Sequence, residues 1–550
     1  LVREDFLMKT VQKTVGELLT DVSRAYPRND ALIHTESNTR FTHQLLQCEV
    51  ERVARGLLHV GVSKGDRVAL WAPNIPEWIV AQIALARIGA VMVPIDPGAE
   101  REDLHFILEQ SEARVTVLTR GLEAEEYIHL IQSERYRLPR LEHVIVVSDT
   151  SFPDTILWTE LMAMGDDLPA GQLEEREGQV GPEDPLAIMY TSGTTGRPKG
   201  VVLDHLALIN KSMASTDRQG IGPRDRLCLF FPLFHMFGNT CIALAGLLRG
   251  AALVMPCRTF DPERVLRALD REACTAVYGS PSMLIALLDH PRFNAKKWRS
   301  VTKGTLGGAP CPMELMKRIY SEVGVSDITV AYGITETASW ITMTHPDDPL
   351  ELRTGTIGTP LPVNEVRITD PETDDDLPPG KEGELCIRGF LMKEYYRMPA
   401  ATAAAVDRNG WFHSGDLGQM DRRGYVKITG RLKDVIVRDG IRIHPTELEE
   451  ILYSIPEISE AQVFGFPHPE QGQEIAAWFR VRGKKALPPD RVRKLVESRV
   501  GRERAPRYYK QVEAFPMTRT GKVQKFKMAR MAEKEYLGGD TGGPSGPAGP

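Results

Sequence analysis

The chain has no Cys-x-x-Cys pair, and its seven cysteines are odd in number and widely scattered. That excludes a regular disulfide framework and fits a reducing cytosol, where thiols stay free. A basic surplus is also missing. Lys and Arg number 68 against 74 Asp and Glu, a formal charge of −6, whereas a nucleic-acid binder usually carries net positive charge. No apolar run is long enough to span a bilayer, and the opening LVREDFLMKT does not read as a signal peptide. Neither an H-E-x-x-H zinc helix nor a G-x-G-x-x-G dinucleotide loop occurs. What remains is an ordinary soluble composition, 42% hydrophobic and 26% charged, in 550 residues, too many for a single core.

Tyr190 to Gly200, YTSGTTGRPKG, concentrates the chemistry that is present. Hydroxyls at Thr191, Ser192, Thr194 and Thr195 alternate with glycines at Gly193 and Gly196, and Lys199 follows Pro198. Glycines let backbone N–H groups approach a ligand, hydroxyls donate hydrogen bonds, and lysine adds a compact positive charge. Such a loop cradles polyphosphate, although no Gly-Lys-Ser/Thr tripeptide of the Walker kind ends it. The apolar run Leu186–Met189 before it predicts a buried strand, and Leu203–Ser212 after it predicts a helix.

From Thr14 to about Gly181, helical and strand-like segments alternate: helices over 15–26, 41–61 and 79–89, strands over 67–71 and 90–94. After the loop the style resumes, with strands predicted at 226–232, 251–256 and 276–279. Alternation of this kind predicts an α/β fold with doubly covered, mixed or parallel sheets. Between 358 and 430 short strands separated by the polar turn PETDDDLPPGKEG predict a small β subdomain. Beyond it a compact α+β unit is expected. The boundaries follow as a large N-terminal domain over 1–430, a small C-terminal domain over 431–537 and a disordered tail over 538–550. Asn210-Lys211-Ser212 spells a glycosylation sequon, and inside a cytosolic helix it reads as chance.

Five further strings carry candidate chemistry. In PLFHMFGN, His235 sits among Phe234, Met236 and Phe237, a setting that by itself also suits a packed core. LGGAPCP puts Gly307, Gly308, Ala309 and Pro310 at a strand-to-helix turn. AYGITETAS offers a stacking ring at Tyr332, a hydroxyl at Thr335 for a phosphate oxygen and a carboxylate at Glu336 for Mg²⁺, a cation that prefers oxygen ligands. WFHSGDLG and GRLKD supply Asp416, suited to holding a ribose, and Arg431, a planar donor fork for ribose or phosphate. As a mere surface pair these two would contribute only about 0–1 kcal/mol. In MTRTGKVQKFKM, the basic residues Arg519, Lys522, Lys525 and Lys527 also suit a solvated face.

In this order the strings resemble those of adenylate-forming enzymes, which include acyl-CoA synthetases, luciferases and peptide-synthetase adenylation domains. The resemblance covers nearly the whole chain and looks closest to medium-chain and aromatic acid CoA ligases. It implies a two-step ligase that uses ATP, Mg²⁺ and CoA. A carboxylic acid attacks ATP to give an acyl adenylate and pyrophosphate, and CoA then displaces AMP. By the same resemblance Lys522, Lys199, Thr335 and Glu336 are catalytic, with Glu336 the metal ligand. The nucleotide is held by Thr191 to Gly196, Gly308 to Pro310, Tyr332, Gly333, Asp416 and Arg431. His235, Met236, Phe237, Gly307, Ala331, Gly333 and Ala338 wall the acyl pocket, and Lys433 is the hinge of a mobile C-terminal domain.

Relatives restricted to acetate or propionate carry tryptophan at the place of Gly333. The absence of a side chain there, with small neighbours at Ala331, Ala338 and Ser339, predicts a medium-sized monocarboxylic acid: a chain of about six to ten carbons, or a compact ring acid. One loop departs from the pattern. Asp439-Gly440-Ile441-Arg442 stands where most relatives have Gly-Gly-Glu-Asn in contact with the thiol cofactor, so Arg438, Gly440 and Arg442 are the candidate CoA contacts. Two alternatives stay open, an enzyme that loads a carrier protein's phosphopantetheine and a catalytically inactive nucleotide-binding relative.

Overall fold

A computed structural model describes residues 10–122, 124–191, 197–483, 486–517 and 523–538. Its largest sheet has nine strands, in the order Thr359–Pro360, Ser339–Met343, Asp327–Ile334, Lys303–Gly307, Ala276–Gly279, Arg226–Cys228, Ala252–Met255, Asp30–His34 and Thr39–Thr42. A second has eight: Glu394–Tyr395, Lys199–Asp204, Pro185–Thr191, Val91–Pro94, Arg67–Trp71, Val115–Thr119, His143–Val147 and Ile156–Leu157. Val91–Pro94, Val115–Thr119 and Ala276–Gly279 are buried along their whole length. Continuous apolar runs of this kind belong to parallel strands covered on both faces, and the expected α/β class is borne out. The helix Pro76–Ile88 buries every residue except Glu77 and ends on Gly89 at φ +69°, a left-handed cap that glycine adopts without strain.

The helix expected from Leu203 starts later. Residues 199–204 form a strand, and the helix begins only at His205 and runs to Gln219. The run Val201-Val202-Leu203 is fully buried and pairs antiparallel with Pro185–Thr191, Thr191 opposite Lys199. A short apolar run does not distinguish strand from helix by period alone, and here the sheet claims it. Pro185–Thr191 and Lys199–Asp204 are therefore an antiparallel pair, and a strand stands between Pro198 and the helix. Likewise, the strand expected over 226–232 stops at Cys228.

Four strands, Asn364–Thr369, Gly383–Gly389, Phe412–Met420 and Val426–Arg431, form a third sheet, where β texture is expected between 358 and 430. By its contacts the chain divides into two units. One comprises the described residues of Leu1–Val366, Cys386–His413 and Arg423–Val426, the other those of Arg367–Leu385, Ser414–Arg422 and Lys427–Pro550. The second unit carries the sheet Ile441–Ile443, Ile436–Arg438, Gly472–Val481, Ile458–His468, with Tyr508–Gln511 alongside Gly472–Val481. The helices Pro445–Tyr453, Pro489–Val500 and Lys525–Leu537 belong to this unit too. No helix among the described residues is long and apolar enough to cross a membrane.

His205, the first residue of its helix, is fully buried, and its Nδ1 accepts a hydrogen bond from the Val15 N–H at 3.2 Å. Burial lowers its proton affinity to about 4. The sign is fixed by which state takes up the proton. Below pH 6.5 the unfolded chain protonates this imidazole and the folded chain does not, so stability falls as pH drops from 6.5 towards 4. At about 1.4 kcal/mol per pH unit that loss amounts to ~3 kcal/mol. His205→Gln, which can still accept from Val15, is expected to flatten the acid limb of the denaturation curve between those pH values. An acid limb identical to that of the parent would show that other groups control it.

Candidate active site

Three of the strings meet in the first unit. Strand Lys303–Gly307 lies parallel to Asp327–Ile334, Gly307 beside Ala331, and Asp327–Ile334 turns back through Thr335–Thr337 into Ser339–Met343. The turn is tight and strained. Ala338 and Ser339 both have positive φ, 56° and 127°, and Thr337 Oγ1 donates to the Ile334 and Ser339 carbonyls at 3.0 and 3.1 Å. Strain of this order, about 1–3 kcal/mol per residue, persists where surrounding structure enforces it and is concentrated at functional sites.

A row of rings joins this turn to the histidine string. His235 lies 5.4 Å from Phe231, Phe231 4.5 Å from Phe237, and Phe237 meets Trp340 edge-on at 4.9 Å. The row ends over Gly307, where a Cβ would stand 2.6 Å from Cη2 of Trp340. Met236 and Phe237 are buried, Phe234 and His235 half-buried. Nδ1 of His235 accepts from the Phe237 N–H at 3.1 Å, which places a neutral ring's proton on Nε2. Phe237 begins a wide π-type helix, Phe237–Leu244, a form frequent at functional sites. Gly308 adopts φ +82° with nothing near its missing side chain, and Gly308, Ala309 and Pro310 are exposed.

Gly333 does not hold open the space expected of it. A Cβ there would lie 2.2 Å from the Ser339 carbonyl oxygen and 2.8 Å from Cα of Trp340. The missing side chain accommodates a crossing backbone, and a tryptophan at 333 would displace the strand opposite it. The residue that bounds this region is Trp340, one position beyond the string AYGITETAS and only 4% exposed.

Glu336 is half-buried, and Oε1 accepts from the Tyr395 hydroxyl at 2.8 Å. Tyr395 comes from the short strand Glu394–Tyr395, which pairs with Lys199–Asp204. Nζ of Lys199 lies 4.7 Å from the centre of the same ring, in cation–π range. One phenol thus touches the cation at the start of that strand and the carboxylate of the Thr-Glu turn. Burial first, and then the Glu336 charge, push the Tyr395 hydroxyl's proton affinity up, so it remains a donor. Thr335 and Tyr332 are half-buried. Thr191 Oγ1 reaches the Lys199 carbonyl at 3.5 Å. Ser192, Gly193, Thr194, Thr195, Gly196 and Lys522 lie outside the described residues.

In the second unit Asp416 and Arg431 form an ion pair at 2.7 Å, the carboxylate almost fully buried and the guanidinium partly exposed. Lys433 sits in the turn Leu432–Asp434. Arg438 is not the exposed CoA contact expected. It is 6% exposed, its guanidinium donates to Glu474 at 2.8 Å and to the carbonyls of Ala505, Arg502 and Glu503, and withdrawing it would leave the buried Glu474 carboxylate with Arg507 at 3.6 Å as its cation. Gly440 follows Asp439 in a two-residue hairpin with φ of 51° and 79°, the Asp-Gly chemistry of a type I′ turn. Arg442 stays exposed and, among the described residues, pairs with exposed Glu372 at 2.8 Å.

The pattern of AMP-binding enzymes matches residues 19–396, and that of the AMP-binding enzyme C-terminal domain matches residues 447–522. The chain belongs to the AMP-binding enzyme family. It is 36% identical over 538 residues, 95% of this chain and 97% of the relative, to YngI of Bacillus subtilis, whose name places it with the acyl-CoA synthetases. It is 32% identical over 538 residues to the mitochondrial medium-chain acyl-CoA ligase ACSF2 of Danio rerio, covering 95% of this chain and 89% of that one. Among solved structures, ATP-bound MatB of Rhodopseudomonas palustris superposes with a TM-score of 0.83 at 25% identity, over 95% of this chain and 100% of MatB. A fatty acyl-CoA synthetase of Mycobacterium tuberculosis gives 0.75 at 28% identity, over 95% and 99%. The resemblance stated from the motifs is thereby borne out.

Proposed function

We propose that the protein is an AMP-forming acid–thiol ligase that makes an acyl-CoA from a medium-sized monocarboxylic acid, ATP and CoA. In the first step the acid's carboxylate oxygen forms a bond to the α-phosphorus, and the bond to the bridging oxygen breaks, releasing pyrophosphate. In the second the CoA sulfur attacks the acyl carbon, its proton is lost, and AMP leaves. The observation that carries this reading is the Lys199–Tyr395–Glu336 arrangement, in a chain related over 95% of its length to acyl-CoA synthetases.

Lys199 and the loop hydroxyls hold the β- and γ-phosphates. Tyr332 stacks on the adenine beside the exposed Gly308–Pro310 turn. Thr335 donates to an α-phosphate oxygen, and Asp416 with Arg431 holds the ribose. Glu336 would hold Mg²⁺, and the site fits such an ion: one carboxylate oxygen takes the Tyr395 donor, and the other remains a hard oxygen ligand. When bound, Mg²⁺ withdraws charge from the phosphate oxygens under attack. The aromatic row from His235 to Trp340 walls the acyl group, and Arg442 is assigned to a phosphate of CoA. The medium-chain activity named for ACSF2 supports the size of the acid.

The test is acid-dependent pyrophosphate release over linear and ring acids, with and without CoA. Release that no acid stimulates would overturn the reading. Transfer of the acyl group to a carrier protein's phosphopantetheine and not to CoA would favour the carrier-loading relative. A narrower test addresses Tyr395. Tyr395→Phe keeps the ring under Lys199 and removes one hydrogen bond to a charged carboxylate, about 1.5–3 kcal/mol. Pyrophosphate release is expected to fall about tenfold or more, with a raised Mg²⁺ requirement and an unchanged KM for CoA. An unchanged Mg²⁺ dependence would separate Tyr395 from Glu336's function.

A further inference from the structure

Lys211 lies outside every string assigned to the site, yet it is 0% exposed, on the helix His205–Gln219. Burying an ammonium group is costly unless it is paired. Among the described residues no carboxylate forms an ion pair with it. Its hydrogen-bond partner is Asn364, through Oδ1, and burial lowers the lysine's proton affinity to about 7. A group maintained at that cost, away from the proposed phosphate contacts, calls for a role.

The other half of Asn364 indicates one. Its Nδ2 donates to the Trp340 carbonyl at 3.2 Å and the Ile341 carbonyl at 2.7 Å. Both protons of the amide are spent on one stretch of strand, which turns its oxygen to Lys211. The strand so held carries Trp340, whose indole meets Phe237 edge-on and covers Gly307. It also pairs with the strand of Tyr332 and Gly333. Helix, amide, strand and indole form one continuous chain of contacts, and Lys211 anchors its far end.

We infer that Lys211 is a positioning residue for acyl-chain length: through Asn364 it holds the backbone of Trp340, and with it the indole that closes the acyl end of the site. This rests on the acyl-adenylating reading above. Lys211→Met keeps the length of the side chain and removes the donor. Asn364 then loses the partner that orients its amide, Trp340 is less firmly held, and longer acids gain entry.

The experiment measures kcat/KM for hexanoate and decanoate, by pyrophosphate release, in the full chain and in Lys211→Met, Asn364→Leu and Trp340→Ala. Each methylene admitted changes discrimination about fourfold, so room for two more raises the decanoate-to-hexanoate ratio about fifteenfold. That rise is expected in Lys211→Met and Asn364→Leu, with a KM for ATP within twofold of the parent. Trp340→Ala is expected to shift the ratio in the same direction and further. Combining Lys211→Met with Asn364→Leu should add little to Asn364→Leu alone, because the lysine acts through that amide. The ratio is independent of the fraction of active protein, so a poorly folding variant still reports. An unchanged ratio in both single variants overturns the proposal. So does loss of activity on every acid, since releasing a length limit should not abolish adenylation. Failure of the underlying reading looks different, because the parent enzyme itself would then release no acid-dependent pyrophosphate.

Discussion

Glu336→Gln is expected to lower acid-dependent pyrophosphate release by about two to three orders of magnitude while leaving the fold unchanged. The substitution is nearly isosteric. The backbone carbonyl of residue 336 still accepts from the Met392 N–H, 2.8 Å in the parent, and the new amide oxygen still accepts from Tyr395. What disappears is the negative charge. A neutral amide is a poor ligand for Mg²⁺ beside a triphosphate, and the charge stabilisation lost in the transition state is of order 3–4 kcal/mol. The thermal midpoint should move little, because the carboxylate is half-buried and its hydrogen-bond partner survives. Pyrophosphate release assayed across a Mg²⁺ series decides the matter. Turnover within tenfold of the parent, at unchanged Mg²⁺ dependence, would show that residue 336 holds no metal.

The elements of this fold are mostly legible in the sequence because local patterns state them. Alternation of helical and buried-strand segments gives the α/β class, and Pro76 and Gly89 bracket a helix at the positions such residues favour. The exception is Val201-Val202-Leu203, whose three apolar residues fit either period until a partner strand is known. Site residues divide the same way. Strings read within ten residues, such as Tyr332 to Glu336, are kept together by the chain itself. Residues that act across the sheet leave no local mark: Tyr395 reaches Glu336 over 59 positions, and Lys211 reaches Asn364 over 153. Gly333 shows the converse. The sequence reveals that a side chain is missing, and only the backbone of Ser339 reveals which atom takes its place. Arg438 is a similar case, since its charge suggests a ligand and its burial shows an internal tie.

Lys522→Ala is expected to slow adenylate formation by about two to three decades and to leave transfer from a supplied acyl adenylate to CoA close to the parent rate. The motive lies in the charge balance of the two steps. In the first, a carboxylate must approach an α-phosphate that is itself anionic, and a lysine removes repulsion that peaks as the new bond forms. A contact of this kind, realised only in the transition state, contributes about 3–4 kcal/mol. In the second step a thiol attacks a mixed anhydride that already exists, so the same cation has no comparable task. Lys522 is the last residue matched by the C-terminal family pattern, and the neighbouring basic residues Lys525 and Lys527 provide an internal control. Lys525 already pairs with Glu449 at 2.7 Å and donates to the Val463 carbonyl at 2.9 Å, so Lys525→Ala should disturb local packing and slow both steps alike. Single-turnover measurements of pyrophosphate release, and of acyl-CoA formation from the isolated adenylate, separate the two patterns. Should Lys522→Ala slow both half-reactions to the same degree, the lysine would belong with the surface charges around it and not with the chemistry.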